Sequence, residues 1–165
     1  MLLEVEHLTT EFTTRRGMVR SVRDVSFSID KGEILALVGE SGSGKSVTSL
    51  SIMGLLASNG RIAKGSKIMF DGVNLLDLSE RKMQHIRGNS ISMIFQEPMT
   101  SLNPIFTVGD QILESIQLHT KLSKKEAHEK LLHIMDTVGI PNPAKRIKDY
   151  PASTYYDRYG HGLSA

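Results

Sequence analysis

Residues 39–46 read GESGSGKS and fit the pattern G-x-x-x-x-G-K-[S/T]. This loop constrains the fold because it needs a buried strand directly before it and a helix directly after it. The apolar run ILALV at 34–38 predicts a strand buried on both faces. Lys45 opens a helical pattern that runs to about Leu56. The segment therefore predicts a strand–loop–helix unit that binds phosphate.

Each position of the loop has a chemical reason. Consecutive backbone N–H groups supply the many donors that phosphates need. Glycines let the backbone turn tightly and approach the oxygens. Lys45 supplies a point charge for the β and γ phosphates, and the Ser46 hydroxyl is a ligand for magnesium. The predicted phosphate-binding residues are Gly39, Glu40, Ser41, Gly42, Ser43, Gly44, Lys45 and Ser46.

Composition sets outer limits on the class of protein. The 165 residues suit one domain, and a net charge of +2 gives no argument for nucleic acid as a partner. The absence of cysteine excludes disulfides and thiolate metal sites. Glu4 and Glu6 interrupt the N-terminal segment, which therefore does not read as a signal peptide. No stretch approaches eighteen apolar residues, so no membrane span is expected.

Hydrophobic patterns predict the other elements. Strands are expected at 2–8, 18–30, 67–72 and 91–96, with a turn at 13–17 and a loop at 58–66. Helices are expected from the N-cap Ser79 to about Arg87, at 107–119 and at 123–138. Ser123 and Glu126 form a capping box for the last of these helices, and Gly139 is its natural stop.

A second motif narrows the class of phosphate-binding protein. Residues 91–104 read ISMIFQEPMTSLNP, which resembles the Q-loop of ABC-type ATPases. The segment FQEPMTSLNP is similar to the corresponding segment in the ATP-binding subunits of oligopeptide and dipeptide importers. The segments at 12–46 and 68–80 resemble the same subfamily, and the resemblance covers about residues 1–151.

The resemblance implies an α/β fold: a P-loop (RecA-like) ATPase core, an N-terminal antiparallel β subdomain and the start of a helical subdomain. It assigns 1–96 to the β part with the P-loop and 97–151 to the Q-loop with the helical part. Residues 152–165 hold three of the four tyrosines and are unlike the family. The family is about twice as long, so the chain is expected to be a truncated, N-terminal half.

The resemblance also implies roles for named residues. Gln96 would complete the magnesium shell with Ser46 and sense the γ-phosphate. Phe12 would stack on adenine, whereas its competitor Phe27 lies in an alternating strand and is expected in the core. The expected contacts to a membrane subunit are Glu97, Pro98, Met99, Thr100, Ser101, Leu102, Asn103 and Pro104.

The implied function is that of an energy-coupling subunit that uses ATP and Mg²⁺. Its implied partners are membrane-spanning permease subunits, a second ATP-binding subunit in head-to-tail arrangement and, indirectly, an extracytoplasmic solute-binding protein. The implied location is peripheral, at the cytoplasmic face of the cell membrane. The transported solute is left open between oligopeptides, dipeptides, nickel and other small solutes.

The family's signature motif, its Walker B aspartate with the catalytic glutamate, and its switch histidine are expected after residue 151. Asp136 ends an apolar run, but Thr137 follows it rather than Glu, so we interpret it as a solvated helix end. Very weak or absent ATP hydrolysis is therefore expected of this chain alone. Two alternatives stay open: a non-catalytic remnant that only binds nucleotide, and a small P-loop kinase.

Overall fold

A computed structural model describes residues 1–96 and 102–151. The chain divides into two compact units, the first spanning Met1–Met93 and the second beginning at Ile94. The expected division between residues 96 and 97 stays a prediction. Within the described ranges, no helix is long and apolar enough to cross a membrane.

The first unit is built on an antiparallel sheet. Its strands are β1 (Leu3–Thr14), β2 (Gly17–Ile29), β3 (Gly60–Ile62), β4 (Lys67–Phe70) and β5 (Val73–Asn74). They lie in the order β2-β1-β4-β5, and β3 pairs with β1 beside β4. The predicted turn at 13–17 is confirmed, because β1 and β2 form a hairpin in which Thr14 pairs with Gly17. The predicted loop at 58–66 is wrong in part, because it contains β3.

Strand β2 carries extra residues opposite β1. Leu8 pairs with Val25, Thr10 with Val22, and Glu11 with Arg20. Between these pairs, Arg23 and Asp24 face Thr9 alone, and Ser21 faces no residue of β1. We call residues 21–24 the bulged segment; Asp24 within it has φ 50°. Bulges of this kind bend a strand and redirect its side chains.

Helix α1 (Lys45–Met53) packs against this sheet. The core is formed by buried apolar side chains from three strands, the turn after β5 and α2: Val5, Leu8, Val22, Ile68, Leu75 and Met83. Val47 and Ile52 of α1 pack against it. A buried hydrogen bond of 2.8 Å joins Thr10 Oγ1 and Ser51 Oγ, so α1 is fixed to β1 by polar as well as apolar contact. Phe27 also packs on this core, as expected.

A 3₁₀ turn (Leu75–Asp77) leads to helix α2 (Glu80–Ile86), for which Ser79 is the N-cap as predicted. The residue after α2, Arg87, donates from Nε to the carbonyl of Met53 at 2.7 Å. Its guanidinium also pairs with Glu80. Arg87 therefore ties α2 to the end of α1.

The second unit contains helices α3 (Val108–His119), α4 (Lys124–Thr137) and α5 (Pro143–Arg146). Its core consists of Ile116, Ala127, Leu131 and Met135. The predicted capping box of α4 is confirmed, with both reciprocal bonds present. Gly139, at φ 77°, follows the helix as its predicted stop. Asp136 is an exposed residue of the last helical turn, which agrees with its interpretation as a solvated helix end.

Two predicted strands are wrong. Residues 34–38 and 91–96 form no strand; Ile91 makes only an isolated bridge with Arg87. Ile34 and Val38 are 96% and 91% exposed, and Ile94 is 93% exposed. A strand needs a neighbour to satisfy its backbone groups, and among the described residues none pairs with 34–38. The apolar side chains of this run are therefore uncovered within the described residues.

Candidate functional site

The glycine-rich loop leads directly into α1, and the helix begins at Lys45 as predicted. Gly42 and Gly44 have φ 81° and 97°, in the left-handed region that L side chains rarely adopt. The Ser43 N–H donates to the carbonyl of Glu40 at 3.2 Å and closes a turn inside the loop. These two glycines therefore produce a tight loop whose remaining amides stay available to a ligand.

The Lys45 side chain lies back over the loop. Its ammonium donates to the carbonyl oxygens of Gly39 at 2.6 Å and Glu40 at 2.7 Å. No carboxylate within residues 1–96 and 102–151 pairs with it. The charge is therefore held at the loop by neutral dipoles, which an anionic ligand can replace.

The N-terminus of α1 suits an anion. The first N–H groups of a helix have no partner within the helix, and the helix dipole adds positive potential there. The N-cap Gly44 offers no side-chain cap, and the first turn contains no acidic residue. Ser46, in this turn, is exposed, so its hydroxyl is accessible to a metal ion. The donors and the hydroxyl fit a magnesium–nucleotide ligand.

The loop is seated directly on β2. A methyl group added to Gly44 would lie 2.4 Å from the carbonyl oxygen of Ser21, which real side chains do not approach so closely. Ser21 is one of the extra residues of the bulged segment. Within the loop, a methyl group on Gly39 would lie 2.7 Å from Ser43 Oγ. Glycine at 44 is therefore required by a close backbone contact as well as by its φ, whereas a side chain at 39 would need only the Ser43 side chain to shift.

A groove of about 570 Å³ lies between the loop and β2. One wall is formed by the loop and α1, and the other by β2 on either side of its bulges. The lining residues are Val19, Arg20, Ser21, Val22, Arg23, Val25, Leu37, Val38, Gly39, Gly42, Ser43, Gly44, Lys45 and Thr48. The β2 wall was not predicted from the sequence. The only signal for it was the mixed pattern of RSVRD at 20–24 within an alternating strand.

The charges on the β2 wall differ in how they are held. The carboxylate of Glu11, only 5% exposed, accepts from Arg20 Nε at 2.9 Å and from Arg61 Nη2 at 2.9 Å. These hydrogen bonds, Arg20 first and Arg61 second, lower the pKa of Glu11 below its ordinary value. Arg20 thus shares one fixed negative charge with Arg61, whereas Arg23 has no carboxylate partner among the described residues.

Phe12 lies in β1, where it pairs with Val19 of the groove wall. Its ring contacts Gly60 of β3, since a methyl group on that glycine would lie 2.7 Å from the ring. Phe12 itself is not one of the groove-lining residues. Stacking of Phe12 on adenine stays a prediction.

Gln96 belongs to the second unit and is exposed. Its shared magnesium site with Ser46 stays a prediction. Residues 97–101 of the expected membrane-subunit contact lie outside the described residues. Of the remainder, Asn103 is held by Gln111, which accepts from its N–H at 2.8 Å and donates to its carbonyl at 2.9 Å. Within the described ranges, no cluster of three or more His, Asp or Glu residues could hold a metal.

Comparisons with known proteins agree with these features. Residues 22–157 match the family model described as ABC transporter. The dipeptide transport ATP-binding protein DppD of Bacillus subtilis is 51% identical over 91% of this chain and 45% of its own length. The oligopeptide transport ATP-binding protein OppD of Escherichia coli is 49% identical over 91% of this chain and 44% of its own length.

The chain thus spans about half the length of these relatives. The structure also resembles the dimeric bacterial ABC transporter cassette MJ0796, with a TM-score of 0.79 at 19% identity. That similarity covers 92% of this chain and 62% of the cassette, and it concerns the fold. The α/β ATPase fold with an antiparallel β part is therefore confirmed, although the strands predicted at 34–38 and 91–96 do not form. The family match extends over most of the sequence, and we conclude that the chain belongs to the ABC transporter family.

Proposed function

We propose that this chain is the nucleotide-binding part of an ATP-binding, energy-coupling subunit of a peptide importer. The observation that carries the proposal is the loop at 39–46, where tight glycine turns, the Lys45 ammonium and the N-terminus of α1 face one groove. The relatives are named for dipeptide and oligopeptide transport, which supports the choice of peptides. The small P-loop kinase has no support in these comparisons.

In the proposed site, the loop amides and the first amides of α1 donate to the phosphate oxygens of ATP. The Lys45 ammonium exchanges its two carbonyl acceptors for β and γ phosphate oxygens, which form stronger, charge-assisted hydrogen bonds. Ser46 and Gln96 are the residues that would hold Mg²⁺, which neutralises phosphate charge when bound. Phe12 is the proposed stacking partner of adenine.

The proposed partners follow from the same family membership. We place membrane-spanning permease subunits against residues 97–104, and a second ATP-binding subunit against the nucleotide in head-to-tail arrangement. A solute-binding protein outside the membrane would act through the permease. The proposed location is peripheral, at the cytoplasmic face of the cell membrane, where ATP is available.

We further propose that these 165 residues bind nucleotide but turn it over very slowly. They contain no LSGGQ-like signature and no apolar run that ends in Asp-Glu. Hydrolysis requires a positioned water and stabilisation of charge at the γ-phosphate. The loop supplies the phosphate cradle alone. A phosphate-release assay showing robust turnover that depends on Lys45 would contradict this part of the proposal.

Titration calorimetry with ATP and Mg²⁺ tests the binding proposal. Lys45→Met removes the charge at the loop, and we expect the affinity to fall about tenfold or more. Lys64→Met is the matched control, since Lys64 is an exposed lysine of the same unit in the loop before β4. Its affinity should equal that of the unmodified chain. Equal binding by the unmodified chain and Lys45→Met would refute the proposed site.

A further inference from the structure

The β2 wall of the groove has a geometry that an ordinary strand does not provide. The bulged segment places Ser21 opposite no residue of β1, and Arg23 and Asp24 together opposite the single residue Thr9. The Ser21 carbonyl touches Gly44 of the loop, so the segment and the loop are in fixed contact. Bulges next to a binding site redirect side chains. Both bulges fall within the stretch of β2 that lines the groove.

Arg23 is the cation of this wall that forms no ion pair within the described residues. It is exposed, and its Nε donates to the Arg20 carbonyl at 3.4 Å, a long hydrogen bond. The neighbouring carboxylate of Asp24 is engaged elsewhere, by the His7 ring at 2.7 Å. Arg20, in contrast, is bound to Glu11. Arg23 and Lys45 are thus the two groove-lining cations without a carboxylate partner among the described residues.

We propose that Arg23 is a second phosphate-contacting cation, which binds nucleoside di- and triphosphates together with Lys45. This inference rests on the proposed function, because it places both residues at the same bound nucleotide. The terminal nitrogens of Arg23 are free to donate two parallel hydrogen bonds to phosphate oxygens, a geometry that lysine cannot offer. Ser21, two residues before Arg23, contacts Gly44 of the loop, so the Arg23 backbone lies close to the loop.

If Arg23 served only to stabilise the fold, its removal would lower thermal stability and would affect the binding of adenosine as much as that of ATP. Its single long bond to a backbone carbonyl and its exposure mean that its removal costs the fold little. The charge should matter only when a phosphate is present. Affinity for phosphorylated nucleotides, compared with that for adenosine and with thermal stability, therefore separates the two roles.

The experiment is titration calorimetry of the 165-residue chain with ATP, ADP and adenosine, with Mg²⁺ present throughout. The variants are Arg23→Gln and Arg23→Lys, and the matched control is Arg16→Gln in the turn between β1 and β2, where Arg16 is exposed. We expect Arg23→Gln to weaken ATP and ADP about fivefold or more. Arg23→Lys should recover part of the loss, and any binding of adenosine should be unchanged. Arg16→Gln should stay within about twofold of the unmodified chain.

Four results would overturn the proposal. If Arg23→Gln binds ATP as the unmodified chain does, Arg23 has no phosphate contact, while the proposed function stands. Equal losses in Arg23→Gln and Arg16→Gln would show a general effect of surface charge. If the unmodified chain and Lys45→Met both fail to bind ATP, the proposed function and this inference fail together. Thermal unfolding of each variant is recorded, and a lower Tm in Arg23→Gln would assign its loss of binding to the fold.

Discussion

Gly44 of the phosphate loop and Ser21 of β2 are in direct contact, with room for no atom between them: a methyl group on Gly44 would lie 2.4 Å from the Ser21 carbonyl oxygen. The contact joins segments that are more than twenty positions apart in the sequence. It also depends on a β-bulge, since Ser21 is an extra residue opposite β1. The position of the loop is therefore set by the hairpin as well as by the loop's own sequence.

Gly44→Ala should weaken nucleotide binding about tenfold or more and destabilise the first unit by about 2 kcal/mol or more, because strain at φ 97° and overpacking act together. Gly65→Ala is a matched control. Gly65 has a similar φ of 93°, but an added methyl group there meets no atom within 4 Å. The control isolates the strain, which should cost about 1 kcal/mol. Denaturant unfolding and ATP titration measure both effects, and equal behaviour of the two variants would show that the Ser21 contact is not important.

Glu11 should stabilise the fold in a pH-dependent way. Its hydrogen bonds with Arg20 and Arg61 lower its pKa, so its contribution is present above the unfolded-state pKa of about 4.3 and is lost as the pH falls through the folded-state pKa. Glu11→Gln should therefore be less stable than the unmodified chain at pH 7, and the difference should shrink in acid. Glu114→Gln, at an exposed position on α3, is the control.

The measurement for Glu11 is the free energy of unfolding in urea at pH 7 and near pH 3. Glu80 and Glu126 also have lowered pKa values, because of Arg87 and Ser123 respectively. These groups also make the stability of the unmodified chain depend on pH. The test is therefore the difference in the free energy of unfolding between the unmodified chain and Glu11→Gln at each pH. A deficit in Glu11→Gln that stays constant across this range would show that the ion pairs are not its cause.

Local signals in the sequence were sufficient for the elements that local chemistry determines. The start of α1 at Lys45, the capping box of Ser123 and Glu126, and the stop at Gly139 are all set by residues within one turn of the chain. The run at 34–38 was predicted as a strand from its apolar residues alone. Strand formation depends on a partner, and within the described part of the chain none is present.

In the candidate site, too, one part follows from local sequence and the other depends on strand pairing. The loop at 39–46 could be proposed from the sequence, because its glycines, Lys45 and Ser46 are the residue types that a phosphate-binding loop needs at those positions. The β2 wall could not, since Ser21 and Arg23 reach the groove through register shifts against β1. Such shifts depend on pairing between two strands, and a single strand's alternation pattern does not reveal them.

The two serine N-caps should differ in importance. Ser123 Oγ accepts from the Glu126 N–H at 3.3 Å, whereas Ser79, at the N-cap of α2, makes no side-chain capping bond. Ser123→Ala should destabilise α4 by about 1 kcal/mol, and Ser79→Ala should cost α2 less. Hydrogen exchange of amides in the first turn of each helix measures the effects separately. If Ser79→Ala raised the exchange rate in α2 by a larger factor than Ser123→Ala raised it in α4, the assignment would be contradicted.

The exposed run at 34–38 should make the chain associate with itself. Ile34 and Val38 are almost fully exposed, and they stand in a segment that no described strand pairs with. Apolar side chains beside unsatisfied backbone groups favour contact with another chain. Ile34→Lys should therefore reduce the association measured by sedimentation velocity. Its stability should change by less than about 0.5 kcal/mol, since a substitution at an exposed position removes little packing.

Ile68→Lys provides the contrast, because Ile68 is fully buried in the sheet core. That substitution buries an unpaired charge and should unfold the first unit. If Ile34→Lys also unfolds the chain, Ile34 is packed in solution and the run is covered. If Ile34→Lys leaves the chain folded but equally associated, the contact between chains lies elsewhere on the surface. A folded and more monomeric Ile34→Lys would identify the apolar run before the phosphate loop as the cause of association.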